Sequence, residues 1–155
     1  MRSAPAPGMG FTLIELMIAM VIMAILTSAS IAGYRQYLRR ANRADATAAL
    51  LRISTAEERF YLQNNRYATT ADELADPPPA GLGVSGTERG LYTLSVEAAA
   101  DGAVIGYRAT ATARSDQSQR DDADCASLSI DQSGQRSASN SDAVSNAGIS
   151  SRCWR

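Results

Sequence analysis

Gly10-Phe11-Thr12-Leu13-Ile14-Glu15-Leu16 begins an apolar run that reaches Tyr34 and contains no charge except Glu15 and no proline. A helix rises about 1.5 Å per residue, so the run is long enough to cross a hydrocarbon core of about 30 Å. A carboxylate at membrane depth is energetically expensive and by default indicates a functional site. We therefore expect Glu15 to have a partner that this chain does not supply.

Two simpler interpretations of the apolar run stay open. A secretory signal peptide has a hydrophobic region of about 7–15 residues after a basic segment. This run is longer, and Arg2 is the only charged side chain before it. A simple membrane anchor would explain the length but would leave Glu15 in the membrane without a role.

The composition argues against several classes of function. The 15 basic and 16 acidic residues leave a net charge of −1, which indicates neither a strongly acidic nor a strongly basic partner. The chain has no histidine and no P-loop motif, so histidine-assisted catalysis and this mode of nucleotide binding are not expected. Cys125 and Cys153 are too few for a zinc site and favour one disulfide in an oxidising compartment. We expect no enzymatic activity, no cofactor and no metal ion.

The opening residues, preceded by a short polar leader, resemble the class III signal of type IV pilins and pseudopilins. In that family a prepilin peptidase cleaves after the glycine and methylates the new amine. The resemblance implies cleavage between Gly10 and Phe11, an N-methylated Phe11, and Glu15 as the fifth residue of the mature chain. It also implies the missing partner, which is the Phe11 amine of a neighbouring subunit. Neutralisation of the two charges in a filament core of low dielectric constant would favour one axial register.

The sequence after the apolar run predicts a continuing helix. No proline occurs between Pro7 and Pro77, and good helix formers fill 41–62, so one helix is expected from Phe11 to about Leu62. Steps of three and four residues predict a packing stripe made of Tyr34, Tyr37, Leu38, Ala41, Ala44, Ala48, Leu51 and Thr55. Positions 14 and 22 of the mature chain, where many type IV pilins have glycine and proline, are Ala24 and Ala32, so local melting of the helix stays open.

Alternating apolar residues predict a small antiparallel sheet. The expected strands are 91–98, 103–113 and 126–130, with a possible fourth at 135–138, and Asp101-Gly102 is a hairpin signal. A short turn is expected at 70–75. The predicted fold is α+β and type IV pilin-like, with a long N-terminal helix against about four strands.

These elements divide the chain into five parts. We expect a cleaved leader (1–10), a transmembrane or filament-core helix (11–34), an amphipathic helical half (35–62), an αβ-loop (63–90), and a sheet with a C-terminal D-region (91–155). The residues after Ser139 can bury little apolar surface, so the disulfide is expected to hold them. The resemblance implies that Cys125 and Cys153 bound the D-region. The Cys-x-x-Leu-x-Ile-Asp motif and the final Cys-Trp resemble PilE-type minor pilins.

Three charged groups have alternative interpretations. Asp121, Asp122 and Asp124, with Asp131 nearby, could bind calcium, as in type II secretion pseudopilins, or form a solvated acidic loop. Arginines follow the apolar run on one side of the helix, where solvent or acidic neighbours in a filament could meet them: Arg35, Arg39, Arg40 and Arg43. Arg152, Trp154 and Arg155 are a possible contact for DNA or another ligand.

The sequence thus predicts a structural subunit of a type IV pilus, a minor pilin rather than the major one. It would be a single-pass protein of the bacterial inner membrane with a periplasmic C-terminus, and later part of an extracellular fibre. The expected partners are other pilin subunits and the prepilin peptidase. The alternatives are a type II secretion pseudopilin and a pilin-like module that binds DNA or another ligand.

Overall fold

The structure is a computed structural model that describes residues 11–99 and 106–155, and it leaves out the side chains of Ala29 and Ala32. The predicted leader, with Gly10, and the Asp101-Gly102 hairpin signal lie outside the described residues. In chain order the elements are α1 (Leu13–Asn64), α2 (Ala71–Ala75), β1 (Tyr92–Ala98), β2 (Tyr107–Ala113), β3 (Ser127–Asp131), β4 (Arg136–Ser139) and α3 (Ala147–Cys153). Two 3-10 turns, Ser118–Asp121 and Ala123–Cys125, lie between β2 and β3.

The four strands form one antiparallel sheet in the order β1-β2-β3-β4. Alternate residues of each strand face a common core, because successive side chains of a strand point to opposite faces. The inward side chains are Tyr92, Val96, Tyr107, Ala109, Ala111, Leu128, Ile130 and Ala138, and all belong to the buried cluster that includes residues of α1. The predicted α+β fold, with a long N-terminal helix and four antiparallel strands, is confirmed.

The first part of α1 is apolar on every side. All the large apolar side chains from Phe11 to Leu26 are more than half exposed. By length and composition, α1 can cross a membrane. A helix that is apolar all round requires an apolar environment on all of its sides.

The predicted packing stripe is wrong for the part of α1 that begins at Arg39. Ala44, Ala48, Leu51 and Thr55 are exposed. The buried positions lie about half a turn away, at Arg43, Ala46, Ala49, Leu50, Ile53, Ala56, Glu57 and Phe60. Both faces of this part of α1 carry small or apolar residues, so periodicity alone could not identify the face that packs on the sheet. The buried face was also hard to predict because it includes two charged residues, Arg43 and Glu57. Inside the fold, Arg43 donates hydrogen bonds to Asp122 and Glu57 accepts one from the Ala68 amide.

The predicted turn at 70–75 is instead the short helix α2. Thr70 caps it, with its hydroxyl accepting a hydrogen bond from the Glu73 amide at 3.2 Å. The following segment folds back on α2, where the Leu82 amide donates to the Glu73 carbonyl at 2.7 Å and the Leu82 side chain is buried. At Gly81 an added Cβ would clash with the carbonyl oxygens of Glu73 and Asp76, so this close approach requires glycine.

The C-terminal segment is more ordered than its composition indicated. It contains the helix α3, which Asn146 caps by accepting a hydrogen bond from the Ile149 amide at 2.9 Å. Ile149 is buried, and a disulfide joins Cys153 to Cys125. The disulfide therefore fixes the last turn of a helix rather than an irregular tail.

Candidate functional site

Phe11 lies two residues before α1, Glu15 lies in its first turn, and both are exposed. The Thr12 hydroxyl accepts a hydrogen bond from the Glu15 amide at 3.3 Å, as the side chain of an N-cap residue does. A carboxylate in the first turn interacts favourably with the positive end of the helix dipole. None of the ion pairs within residues 11–99 and 106–155 includes Glu15. Its carboxylate is therefore available to a group outside the described chain.

Arg43 and Asp122 form a buried ion pair that joins α1 to the segment between β2 and β3. The guanidinium donates to both carboxylate oxygens at 2.7 Å, and the two side chains are only 11% and 4% exposed. Gln119 also donates to Asp122 at 2.8 Å. The hydrogen bonds that Arg43 donates to Asp122 raise the pKa of Arg43, so the guanidinium stays charged. Arg43 therefore contacts neither solvent nor a filament neighbour, the two alternatives predicted for it, and Asp122 is not part of a solvated acidic loop, because each residue is the other's partner.

The other acidic side chains of this region have different environments. Asp121 and Asp124 are exposed. Asp131 belongs to the turn between β3 and β4, where its carboxylate accepts hydrogen bonds from the amides of Ser133 and Gln135 at 2.9 and 3.0 Å. Among the residues that the structure describes, no three His, Cys, Asp or Glu side chains are arranged to hold a metal ion.

The structure brings together only part of the basic and aromatic group predicted at the C-terminus. Trp154 and Arg155 line a cavity of 190 Å³ between α1, β4 and the end of α3. Arg152 is exposed and is not among the residues that line the cavity. The Trp154 indole donates to the Ser137 carbonyl at 2.8 Å, which fixes its position.

Three further arginines line the same cavity and were not predicted to belong to this group. Arg136 of β4 places its guanidinium 5.2 Å from the centre of the Trp154 ring, and Arg40 and Arg43 come from α1. The spacing of Arg40 and Arg43 had placed both on one side of the helix. Only the fold shows that this side lies next to the end of the chain.

A buried carboxylate, not predicted from the sequence, lies in the second half of α1. Glu57 is fully buried, and it accepts one hydrogen bond, from the Ala68 amide at 2.9 Å. Burial raises the pKa of Glu57 to about 7, and the hydrogen bond from Ala68 opposes part of that rise. Nearby, the Tyr67 ring stacks on Tyr61 at 4.7 Å and contacts Tyr107 at 5.1 Å, so Tyr67 anchors the loop after α1.

Two family models match the chain. Residues 10–31 match a prokaryotic N-terminal methylation motif, and residues 32–129 match the family described as type IV minor pilin ComP, DNA uptake sequence receptor.

Similar curated proteins include both pilins and secretion proteins. The type IV major pilin protein PilA of Myxococcus xanthus is 35% identical over 72 residues, which is 46% of this chain and 33% of that protein. The type II secretion system core protein G of Aeromonas hydrophila is 34% identical over 74 residues, 46% of this chain and 52% of that protein. A fimbrial protein of Neisseria meningitidis is 32% identical over 88 residues, 57% of this chain and 48% of that protein. The matches thus span about a third to a half of the length of these relatives.

A solved type IV pilin from Shewanella oneidensis is 28% identical, with a TM-score of 0.42, and the similarity covers 63% of this chain and 89% of that one. The resemblance to type IV pilins drawn from the opening residues is confirmed by the two family models and by the pilin relatives. Because the longer family match covers more than half of the sequence, this chain belongs to the type IV minor pilin family described as ComP, DNA uptake sequence receptor.

Proposed function

We propose that the chain is a structural subunit, a minor pilin, of a type IV pilus. The observation that carries the proposal is the exposure of every large apolar side chain from Phe11 to Leu26, together with the methylation motif over 10–31. Such a surface is stable only in contact with lipid or with similar segments of neighbouring subunits. In a membrane-bound precursor the apolar side chains would contact lipid, and in a filament core they would contact the same segment of neighbouring subunits.

Processing at the glycine would create the charge that Glu15 needs. Cleavage between Gly10 and Phe11 frees an amine at the start of α1, and Glu15 lies about 6 Å further along the helix axis. In a filament, this carboxylate would pair with the Phe11 amine of a neighbouring subunit. Because an unpaired charge in an apolar core is costly, only the axial offset that pairs the two groups is favourable.

The disulfide and the apolar part of α1 together support an inner-membrane precursor with a periplasmic C-terminus. A disulfide between Cys125 and Cys153 is typical of an oxidising compartment, which favours a periplasmic C-terminus. The apolar part of α1 would then anchor the precursor in the inner membrane before its assembly into an extracellular pilus.

Glu15→Ala tests the assembly role. We expect normal processing and a normal disulfide, with a reduced amount of the protein in the sheared fibre fraction. Glu58→Ala is the matched control, because Glu58 is an exposed carboxylate on the same helix. Normal incorporation of Glu15→Ala into fibres would contradict the proposed register.

Substitutions at Gly10 test processing separately from assembly. Gly10→Ala is expected to retain most cleavage, and Gly10→Leu to leave full-length protein in the membrane, because the cleavage site requires a small side chain. Mass spectrometry of the N-terminus measures both cleavage and methylation. Complete processing of Gly10→Leu would contradict the assigned site.

The similarity to two type II secretion system core proteins favours a pseudopilin as the alternative. Calcium-dependent stability would distinguish a pseudopilin from a pilus subunit. Asp121 and Asp124 are the exposed carboxylates of this region that could bind the ion. A thermal melt with and without a chelator measures this. A large loss of stability on chelation, absent in Asp124→Asn, would favour the pseudopilin, whereas unchanged melting would favour the pilus subunit.

The description of the matched family favours a second function, the binding of DNA. Arg152 and Arg155 are exposed near Trp154 and could contact the phosphate backbone. A gel shift with duplex DNA at low salt tests this, with Arg152→Gln and Arg155→Gln expected to weaken binding and Arg108→Gln, an exposed arginine of β2, as control. No shift by the unmodified protein would reject the function.

A further inference from the structure

We propose that the cavity between α1, β4 and the end of α3 binds a phosphate group of a nucleic acid backbone. This inference rests on the DNA binding proposed above and assigns its site. We call it the arginine cavity. It is lined by Arg40, Arg43, Ala44, Thr47, Leu51, Arg136, Cys153, Trp154 and Arg155, and its volume is 190 Å³.

The described residues do not balance the positive charge of the arginine cavity. Four arginines and no acidic side chain line it. Arg43 is neutralised by Asp122, but Arg40, Arg136 and Arg155 take part in no ion pair among the described residues. These three side chains are exposed, so water screens their mutual repulsion, and an anion bound among them would be attracted by all three.

Two of the residues that line the cavity, Arg43 and Trp154, are held in place before any ligand arrives. Asp122 holds the Nε and one terminal nitrogen of Arg43, which leaves the other terminal nitrogen available as a donor. Trp154 is held by its hydrogen bond to Ser137 and by the disulfide of Cys153, and it supports the Arg136 guanidinium at 5.2 Å. A site whose donors are already positioned loses less entropy on binding.

The donor set matches the geometry of a phosphate. A guanidinium presents parallel N–H groups that pair with two oxygens of one phosphate, and Arg is the usual residue for this contact. Trp154, partly buried beside the arginines, adds an aromatic surface of the kind that nucleic acid sites use. The arginine cavity therefore combines the two features that the sequence had indicated only for the C-terminal residues.

Trp154 itself reports on occupancy, because it is the one tryptophan of the chain. We would titrate the full chain in nonionic detergent micelles with inorganic phosphate and, separately, with a duplex oligonucleotide, at constant ionic strength. The expected result is a saturable change in tryptophan emission with both probes. No change with either probe would overturn the proposal.

Arg40→Gln and Arg136→Gln test which residues carry the binding. Each should weaken oligonucleotide binding about tenfold and reduce the slope of log affinity against log salt by about one phosphate contact. Arg59→Gln is the control for α1 and Arg108→Gln the control for the sheet, because both arginines are exposed and lie outside the cavity. Because Arg136 contacts Trp154, Arg136→Gln can alter the tryptophan emission without any ligand. For each variant we therefore compare only the change in emission that follows addition of the probe.

The outcomes separate the site from the function on which it rests. Oligonucleotide binding that is unaffected by Arg40→Gln and Arg136→Gln would overturn the assigned site but leave DNA binding intact. A response to inorganic phosphate without any oligonucleotide binding would overturn the nucleic acid assignment. A response to micelles containing phosphatidylglycerol, but not to the oligonucleotide, would assign the cavity to lipid headgroups and likewise overturn it.

Discussion

At the scale of single residues, Glu57 is the least expected side chain of the fold. It is fully buried and receives a single hydrogen bond, and desolvation raises its pKa to about 7 from an ordinary value of 4.5. That value includes smaller effects of neighbouring charges, because Glu73 and Glu58 raise the pKa and Arg66 lowers it. The folded chain therefore holds a proton on Glu57 that the unfolded chain releases above about pH 4.5.

We predict that stability falls as pH rises from about 4.5 to about 7, because across that window the unfolded chain gains by ionising Glu57 while the folded chain keeps it neutral. The loss is at most roughly 3 kcal/mol. Glu57→Gln should remove this slope, whereas Glu58→Gln, an exposed neighbour, should keep it. Urea unfolding of the full chain in micelles at several pH values measures the effect.

The pH range over which Glu57 affects stability is separate from the range over which Glu73 affects it. Arg66 lowers the pKa of Glu73 to about 2, so the stability from this ion pair is present above about pH 4.5 and is lost as pH falls towards 2. An unchanged slope between pH 4.5 and 7 in Glu57→Gln would show that another group carries the dependence.

The Arg43–Asp122 pair gives a second prediction at this scale. Asp122→Asn leaves the Arg43 charge buried without its partner, so we expect a loss of about 3–5 kcal/mol in the free energy of unfolding. The exposed pair of Arg114 and Asp116 is the control, and Asp116→Asn should change stability little. Equal effects of the two substitutions would mean that Asp122 is solvated. Chemical denaturation measures both.

At the scale of elements, the sequence predicted the helix and strands better than their contacts. The strands were predicted because alternating residues such as Tyr92, Leu94 and Val96 can bury only one face of a sheet. The packing face of α1 was not, because apolar side chains lie on both sides of the helix, and the sheet buries Leu50 while it leaves the next residue, Leu51, exposed. The cap of α3 at Asn146 could have been recognised from the sequence, but the following Ser-rich residues hid the helix.

The disulfide is expected to hold α3 against the segment before β3. Cys125 and Cys153 are 28 residues apart, and closing a loop of that length stabilises a fold by roughly 3–4 kcal/mol. The double variant Cys125→Ala and Cys153→Ala should lose about this amount, with a larger m-value, because the unfolded chain without the disulfide exposes more surface. A loss below about 1 kcal/mol would show that Ile149 and the Asn146 cap hold α3 without it. Urea unfolding of the oxidised chain and of the variant provides the comparison.

At the scale of the whole molecule, the described residues divide into two units, one that ends at Leu38 and one that begins at Arg39. The second unit contains the entire buried cluster, the disulfide and the buried ion pair. We predict that a fragment of residues 39–155 is soluble without detergent and unfolds cooperatively. Its urea midpoint should equal that of the full chain in micelles, and aggregation of the fragment would show that its exposed α1 face requires the first unit.

A candidate site could be predicted from the sequence when its residues are close together in the chain. Glu15 could be identified because its neighbours in sequence make its charge anomalous. The arginine cavity could not, because Arg40 and Trp154 are more than a hundred residues apart in sequence and only the fold brings them together. Both proposed roles concern groups outside the chain, and each is therefore tested by binding or by assembly.

The uniform apolar surface of α1 between Leu13 and Leu26 has a further consequence, which concerns reversibility. Lipid tails are as apolar as these side chains, so moving the segment from a bilayer into a bundle of like segments changes its hydrophobic free energy little. We therefore expect the balance between the two environments to depend on the few polar contacts at the end of the helix. If the chain assembles as proposed, we expect its return from the filament to the membrane to cost little hydrophobic free energy.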